Sequence, residues 1–255
     1  IFRMKEFEQM EMQFFIQPGT QKEWYQKWMN KRMEWHNSIG MGSENYRFKN
    51  HEKLAHYADA ACDIEFKFPF GFRELEGIHS RTDFDLSNHE KFSRKNLKYF
   101  DPKLEKNYIP YVVETSIGLD RMFLAVLSWS LREDKLTDGT LRKVLKFPIF
   151  LAPIKVAILP LVKKDGLSEY AKKVFDDLKL NYSAQYDEKD AIGRRYRRQD
   201  AIGTPFCITI DYTTLDDNTV TLRDRDQMEQ ERIPLESLDN ILNKKLNTRN
   251  WLKAN

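Results

Sequence analysis

The sequence predicts two domains: an α+β domain over residues 1–147, followed by an α/β domain with a mixed sheet over 148–255. Three observations carry this. Residues 2–16 alternate between two faces with the period of a strand. Residues 111–131 pass from a buried-strand pattern into a strongly apolar helix. From residue 154 onward, short apolar strands and amphipathic helices take turns, ending in a hairpin and a last helix. The 255 residues suffice for one large domain or two ordinary ones, and Phe147-Pro148 marks the break.

Apolar content of 41%, with 13% aromatic, supports a packed core and excludes a disordered chain. Net charge is only +3 despite 42 basic residues, so any nucleic-acid surface has to come from local clustering. Cys62 and Cys207 match no metal or redox spacing, which fits a reducing, cytoplasmic setting. No run reaches membrane-spanning length and no signal peptide is visible, so no membrane partner is expected. The chain begins at Ile1 in mid-pattern, without an initiator Met, and reads as a fragment whose upstream part is missing.

On the first strand one face carries Arg3, Lys5, Phe7, Gln9, Glu11 and Gln13, and the other Met4, Glu6, Glu8, Met10, Met12 and Phe14. A base, a ring, an amide and a carboxylate in one row can read a ligand. The ring stacks on a planar base, while Gln9 and Glu11 accept from an ammonium. The same row equally suits the wet face of an antiparallel strand. Pro18-Gly19 end the strand, and Thr20 to Glu23 form a capping-box pattern. Trp24, Trp28 and Trp35 then share one side of a helix closed by Gly40, a core stripe. A second helix is expected over about 44–61; its His51 and His56, five residues apart, are poorly placed for a shared metal.

Two strands follow around Phe68-Pro69-Phe70-Gly71. Ile64, Phe66 and Phe68 face one way in the first; Phe72, Glu74, Glu76 and Ile78 share a face in the second. Two carboxylates on an inward face are costly unless they hold a cation, and a small ammonium ligand would meet that need. The plainer alternative is a surface pair between Glu74 and Arg81. Residues 85–101 read as a short helix plus loop, basic over 93–98.

In the strand–helix stretch, 111–113 read as strand, 114–118 as a tight exit and 119–131 as helix. Arg121 falls in the first helical turn, where the macrodipole disfavours a cation unless an anion shares the site. A helix start with an arginine and free N–H groups can hold a polyphosphate, and Glu114 just upstream can hold its metal. The other reading is a buried helix whose arginine snorkels to the surface. Residues 132–140 read as an exposed loop.

The second domain reads as strand 154–159, helix 168–178, strand 182–185 and helix 190–201. A hairpin of 206–211 with 219–223 around Asp216-Asp217-Asn218, and a helix over 235–246, complete it. Arg194, Arg195, Tyr196, Arg197 and Arg198 suit phosphate contacts beside a stacking ring, or equally a solvated basic helix face.

Four stretches together resemble the class II aminoacyl-tRNA synthetases, in their glycyl version. The strand followed by Glu114-x-Ser116-x-Gly118-Leu119-Asp120-Arg121 looks like motif 3, departing at Thr115, where that family usually has proline. Residues 3–11 resemble the second strand of motif 2, and the block 70–86 is particular to the glycyl enzymes. The run 189–211 resembles the anticodon-binding domain shared by the glycyl, histidyl, prolyl and threonyl enzymes.

The resemblance implies part of the class II antiparallel catalytic sheet followed by an anticodon-binding domain, and an ATP-dependent ligase joining glycine to tRNA(Gly) as a homodimer. It puts Arg121 at the γ-phosphate, Glu114 at Mg²⁺, and Phe7 and Arg3 at ATP. Gln9, Glu11, Ser116 and one of Glu74 or Glu76 fall to glycine, with Arg81 holding anionic groups. Arg194, Arg195, Tyr196, Arg197 and Arg198 fall to tRNA. Motif 1 and the first motif 2 strand are not in the sequence, so the chain alone is expected to be inactive or nearly so. The rival is a non-catalytic nucleic-acid-binding protein on the same scaffold, such as a polymerase accessory subunit. It would have no need of Glu114, Ser116 and Arg121.

Overall fold

The computed structural model describes residues 2–249 and 251; Ile1, on which the fragment reading leans, lies outside them. Two compact units form, one through Ser128 and one from Trp129.

The first unit begins with β1 (Gln9–Ile16), shorter than its alternation predicts. Its ladder with β7 (Tyr111–Gly118) starts at Gln9↔Gly118, where β7 ends, so residues 2–8 have no partner strand there. In α1 (Gln21–Ser38) the expected capping box does not form; the Thr20 hydroxyl donates to the Gln17 carbonyl at 2.7 Å. Trp24 and Trp28 receive the Phe14 ring at centroid distances of 4.8 and 5.4 Å, and all three tryptophans of the stripe are half-buried rather than core.

The helix expected over 44–61 is corrected. A 3-10 turn (Ser43–Asn45) leads into β2 (Tyr46–Asn50), and β3 (Ala60–Phe68) follows a loop. Pairing of β2 with β3, which buries Tyr46 opposite Phe66, outweighs a weak local helix pattern. Then come β4 (Gly71–Thr82), α2 (Phe84–Ser93), the hairpin β5 (Tyr99–Asp101) and β6 (Lys106–Tyr108), β7, and α3 (Leu119–Ser130). Residues 114–118, expected as a tight exit, are strand, because β7 pairs on both edges. The antiparallel sheet runs β1-β7-β4-β3-β2, with α1 against β3, β4 and β7 on one face.

One irregularity in that sheet sets the site. The β3–β4 register pairs Ile64 with Glu76 but Glu65 with Glu74, leaving Leu75 as an extra residue in β4. Glu74 and Glu76 therefore do not share a face, as strict alternation predicts. Glu76 turns toward α1, fully buried, where Arg32 donates to it at 2.5 and 3.1 Å and His36 Nε2 lies 2.7 Å away. Burial works against that carboxylate, but the bonds from His36 and Arg32 more than offset it and hold it below the ordinary glutamate range.

The second unit opens with a hairpin, β8 (Leu131–Lys135) and β9 (Leu141–Leu145), where an exposed loop is expected. It lies on this side of the division, whereas the sequence draws the boundary at 147/148. The reason is Arg142 on β9. Its buried guanidinium reaches Asp200 at 3.4 Å, the Arg225 carbonyl at 2.9 Å and Asp134 at 2.8 Å. After a 3-10 turn (Ile149–Leu151) come β10 (Val156–Pro160), α4 (Leu167–Leu178), β11 (Ala184–Tyr186) and α5 (Ile192–Ile202). β12 (Phe206–Ile210) does not turn straight into β13 (Thr219–Asp224), because α6 (Tyr212–Asp217) intervenes, capped by the Asp211 carboxylate on the Thr214 N–H. β14 (Gln230–Pro234), which the sequence reading lacks, and α7 (Leu235–Leu246) close the unit. Its sheet runs β11-β10-β12-β13-β14, with β11, β10 and β12 parallel and the rest antiparallel. Val156, Ile158, Phe206 and Ile208 bury against Leu167, Ala171 and Val174 of α4 and Leu238 and Leu242 of α7.

Asp200 also takes both Arg223 Nη atoms, at 2.8 and 3.1 Å. Asp200→Ala strands these buried cations and should lower the unfolding free energy of this unit by about 3–5 kcal/mol. An unchanged urea midpoint would show that the network contributes nothing. Glu76 gives a pH test. Because its folded pKa is depressed, its stabilisation is complete above the unfolded value of about 4.3 and is lost as pH falls through the lower folded value. Glu76→Gln should therefore cost stability at pH 7 and much less at pH 3; equal losses at both would refute the ion-pair account.

Candidate active site

Outside the bulge, residues of β1, β7 and β4 alternate between the α1 side and the opposite face. That opposite face is a polar floor. Gln9, Glu11 and Gln13 of β1 stand across from Gly118, Ser116 and Glu114 of β7, which in turn face Gly77 and His79 of β4. A cavity of about 350 Å³ lies on this floor, closed at one end by residues 2–8 and the start of α3.

Arg121 stands at that end. Its Nη1 donates to the Glu74 carbonyl at 3.0 Å and lies 3.1 Å from the Glu74 carboxylate; its Nη2 donates to the Phe2 carbonyl at 3.2 Å. Its guanidinium also covers the Phe2 ring at 5.0 Å. These contacts use three of the five guanidinium N–H groups. The first-turn arginine therefore faces inward rather than snorkelling out. One N–H of the helix start is already used, since Leu119 donates to the Glu8 carbonyl at 3.0 Å.

Deeper in, Gln9 Nε2 donates to Ser116 Oγ, and Ser116 in turn lies 3.5 Å from the Glu11 carboxylate. Glu114 is buried and accepts from Gln13 at 2.6 Å and from Arg81 Nη1 at 3.0 and 3.1 Å. Arg81 is anchored a second time by Asp85 at 2.8 Å and lies over the Tyr57 ring at 4.2 Å.

Of the residues singled out by sequence, Arg3, Phe7, Gln9, Glu11, Glu74, Glu114, Ser116 and Arg121 line the one cavity. Glu76 does not; the bulge sends it to the α1 side. Arg81 supports the cavity through Glu114 without lining it. Met4 and Glu8, which alternation puts on the other strand face, line it too, because residues 2–8 are not strand. Further lining residues beyond the sequence reading include His79 and Tyr57. His79 sits one period-2 step before Arg81 on the same strand face, a signal that was available. Its ring lies over Gly77, where an added Cβ would come within 2.8 Å of His79 Cε1. Burial pushes this imidazole below its usual range, against the pull of Glu114 at 3.7 Å. Tyr57 belongs to an irregular segment with no periodicity to read.

The arginine run in α5 is split. Arg195 is buried and donates to the Pro160, Lys189 and Asp190 carbonyls. Arg198 is taken by Asp187 and Asp190, and Arg197 reaches Asp200 at 3.4 Å. The Tyr196 hydroxyl bonds Thr209 Oγ1 at 2.6 Å. Arg194 is exposed. Composition suggests a single phosphate-facing cluster; the fold spends most of it on internal pairing.

Among the described residues no group of three or more His, Cys, Asp or Glu could hold a metal ion by itself. No helix of the described chain is long and apolar enough to cross a membrane.

Residues 155–245 match the family model described as an anticodon binding domain. A glycine–tRNA ligase of Chlorobaculum tepidum is 52% identical over 247 residues, covering 96% of this chain and 52% of the relative. Those of Borrelia hermsii and Treponema denticola are 52% and 49% identical, over 93% and 92% of this chain and 55% and 53% of their own lengths. The chain thus spans about half the length of the curated relatives it matches. Among solved structures, the RNA binding domain of a threonyl-tRNA synthetase from Cryptosporidium parvum Iowa II aligns with a TM-score of 0.68. That alignment covers 94% of this chain and 64% of the other at 18% identity, a likeness of fold.

Proposed function

The chain belongs, over about half of its relatives' length, to the glycine–tRNA ligase family, and on that premise we propose that the complete protein activates glycine with ATP and transfers it to tRNA. The observation that carries this is Arg121, turned into a cavity whose other walls are the acceptors Glu74 and Glu11 and the hydroxyl of Ser116. We assign the work to a cytoplasmic homodimer, with tRNA held in part by the anticodon binding domain matched at 155–245.

The reaction asks little covalent chemistry of the protein. The glycine carboxylate attacks the α-phosphate in line, pyrophosphate leaves, and a ribose hydroxyl of tRNA then displaces AMP from the glycyl-adenylate. Positioning and charge neutralisation supply the rate. Arg121 takes the γ-phosphate end of ATP; Phe7 and Arg3, both exposed at the cavity wall, take the base end. Gln9, Glu11, Glu74 and Ser116 receive the glycine ammonium, and their crowding excludes a side chain by shape, a modest sieve by itself.

Mg²⁺ fits this donor set, because it binds through one or two carboxylates together with substrate phosphates. Glu114 would supply the carboxylate, kept in place by Gln13 and Arg81. Bound there, the ion would neutralise charge on the phosphates. Arg81 thereby becomes a support for Glu114 rather than a direct ligand of glycine.

A non-catalytic accessory protein would have no use for this constellation. In the complete protein, Arg121→Ala should cut glycine-dependent pyrophosphate exchange by about 100-fold or more. Exchange at the wild-type rate would overturn the assignment, and absence of glycine-dependent thermal stabilisation in the wild type would overturn the reading as a whole.

A further inference from the structure

Among the described residues, a dense run of positive charge without ion pairs lies outside α5. Residues 91–106 hold six basic side chains against two acidic ones, a net +4 that exceeds the +3 of all 255 residues. Lys91, Arg94, Lys95, Lys98, Lys103 and Lys106 are all exposed. None forms an ion pair among the described residues; Lys91 lies over the Phe92 ring at 5.5 Å. Of the two acids, Asp101 is held ionised by the Lys103 and Leu104 N–H groups and the Tyr108 hydroxyl and acts on the Lys103 charge, so two carboxylates offset only part of six bases. Six like charges held on one helix end and hairpin repel each other, which an anionic partner would relieve.

Aromatic rings are interleaved with these cations and left in water. Phe92 is 78% exposed, Tyr99 52% and Phe100 53%. A groove of about 550 Å³ runs beside them, lined by Phe15, Tyr99, Tyr108 and Lys103. Tyr99 and Tyr108 meet edge to face at 5.9 Å, leaving flat faces for a planar guest. Cations for phosphates beside open ring faces for bases is the chemistry that grips unpaired nucleotides. A lipid surface would satisfy the charge but has nothing flat to place in the groove.

We infer that residues 91–106, with Phe15 and Tyr108, form an RNA-contacting surface that holds an unpaired stretch of RNA. Its residues lie outside the stretch 155–245 matched by the anticodon binding domain model. It rests on the tRNA-ligase reading only in naming tRNA as the natural RNA; the contact itself follows from charge and exposed rings.

The test uses the full 255-residue chain and a fluorescein-labelled single-stranded RNA of about twelve nucleotides, followed by anisotropy across a salt series. The triple variant Arg94→Gln, Lys95→Gln, Lys98→Gln should bind about tenfold more weakly at low salt and lose roughly 2 from the log–log salt slope, at about 0.7 per phosphate. Phe92→Ala with Tyr99→Ala should weaken binding by about tenfold while keeping the slope. All five side chains are exposed, so thermal melts should match the wild type. The inference falls if the wild type does not bind, if the variants bind like it, or if a blunt RNA duplex binds as tightly as the single strand. It falls equally if the triple variant loses only binding to phosphatidylserine vesicles. In the complete protein the triple variant should keep full pyrophosphate exchange. Loss of exchange in the wild type would sink the ligase reading and leave this surface untouched.

Discussion

A single extra residue in β4 decides where the charges of the first unit go. Leu75 breaks the period-2 alternation, so Glu74 and Glu76 fall on opposite faces of one sheet. Each carboxylate then meets its own cation: Glu74 holds Arg121 at the cavity, while Glu76 is clamped by Arg32 and His36 beneath α1. With both on the cavity face, the floor would carry another buried negative charge beside Glu114, and α1 would have no counter-charge for Arg32. The bulge thus sets the electrostatics of the site and, through the clamp, ties the helix to the strand that carries it.

The same accounting of buried charge separates two basic regions that look alike in composition. In the second unit, Asp200 gathers Arg142, Arg197 and Arg223, and Arg195 spends its donors on backbone carbonyls. Those guanidinium groups hold a hairpin, a helix and two strands together. The bases of the segment at 91–106 form no ion pair among the described residues, and Phe92, Tyr99 and Phe100 remain exposed. Charge committed to internal partners builds structure; charge without partners is available for an anion.

Much of the polar floor was legible beforehand, because it depends on local rules. Alternation along β1 puts Gln9, Glu11 and Gln13 on one face, and the strand-to-helix passage puts Arg121 in the first turn of α3. What was not legible depends on a neighbour. β2 exists because β3 offers it a partner, so a stretch read as helix became an edge strand. The β8–β9 hairpin is held by Arg142, whose acceptor Asp200 lies far along the sequence. Tyr57 lies in a loop without pattern, brought to the cavity by the fold around it.

The sequence by itself determined much of the order of strands and helices, the two-part organisation and, in Gln9, Glu11, Ser116 and Arg121, part of the set of side chains facing the cavity, since period and first-turn position are properties of neighbouring residues. Only the tertiary structure decided which glutamate faces the cavity, which arginines are free, and which basic surface stands open to a partner. Those outcomes turn on strand register and on the desolvation of charges. Both depend on groups that meet only once the chain has folded.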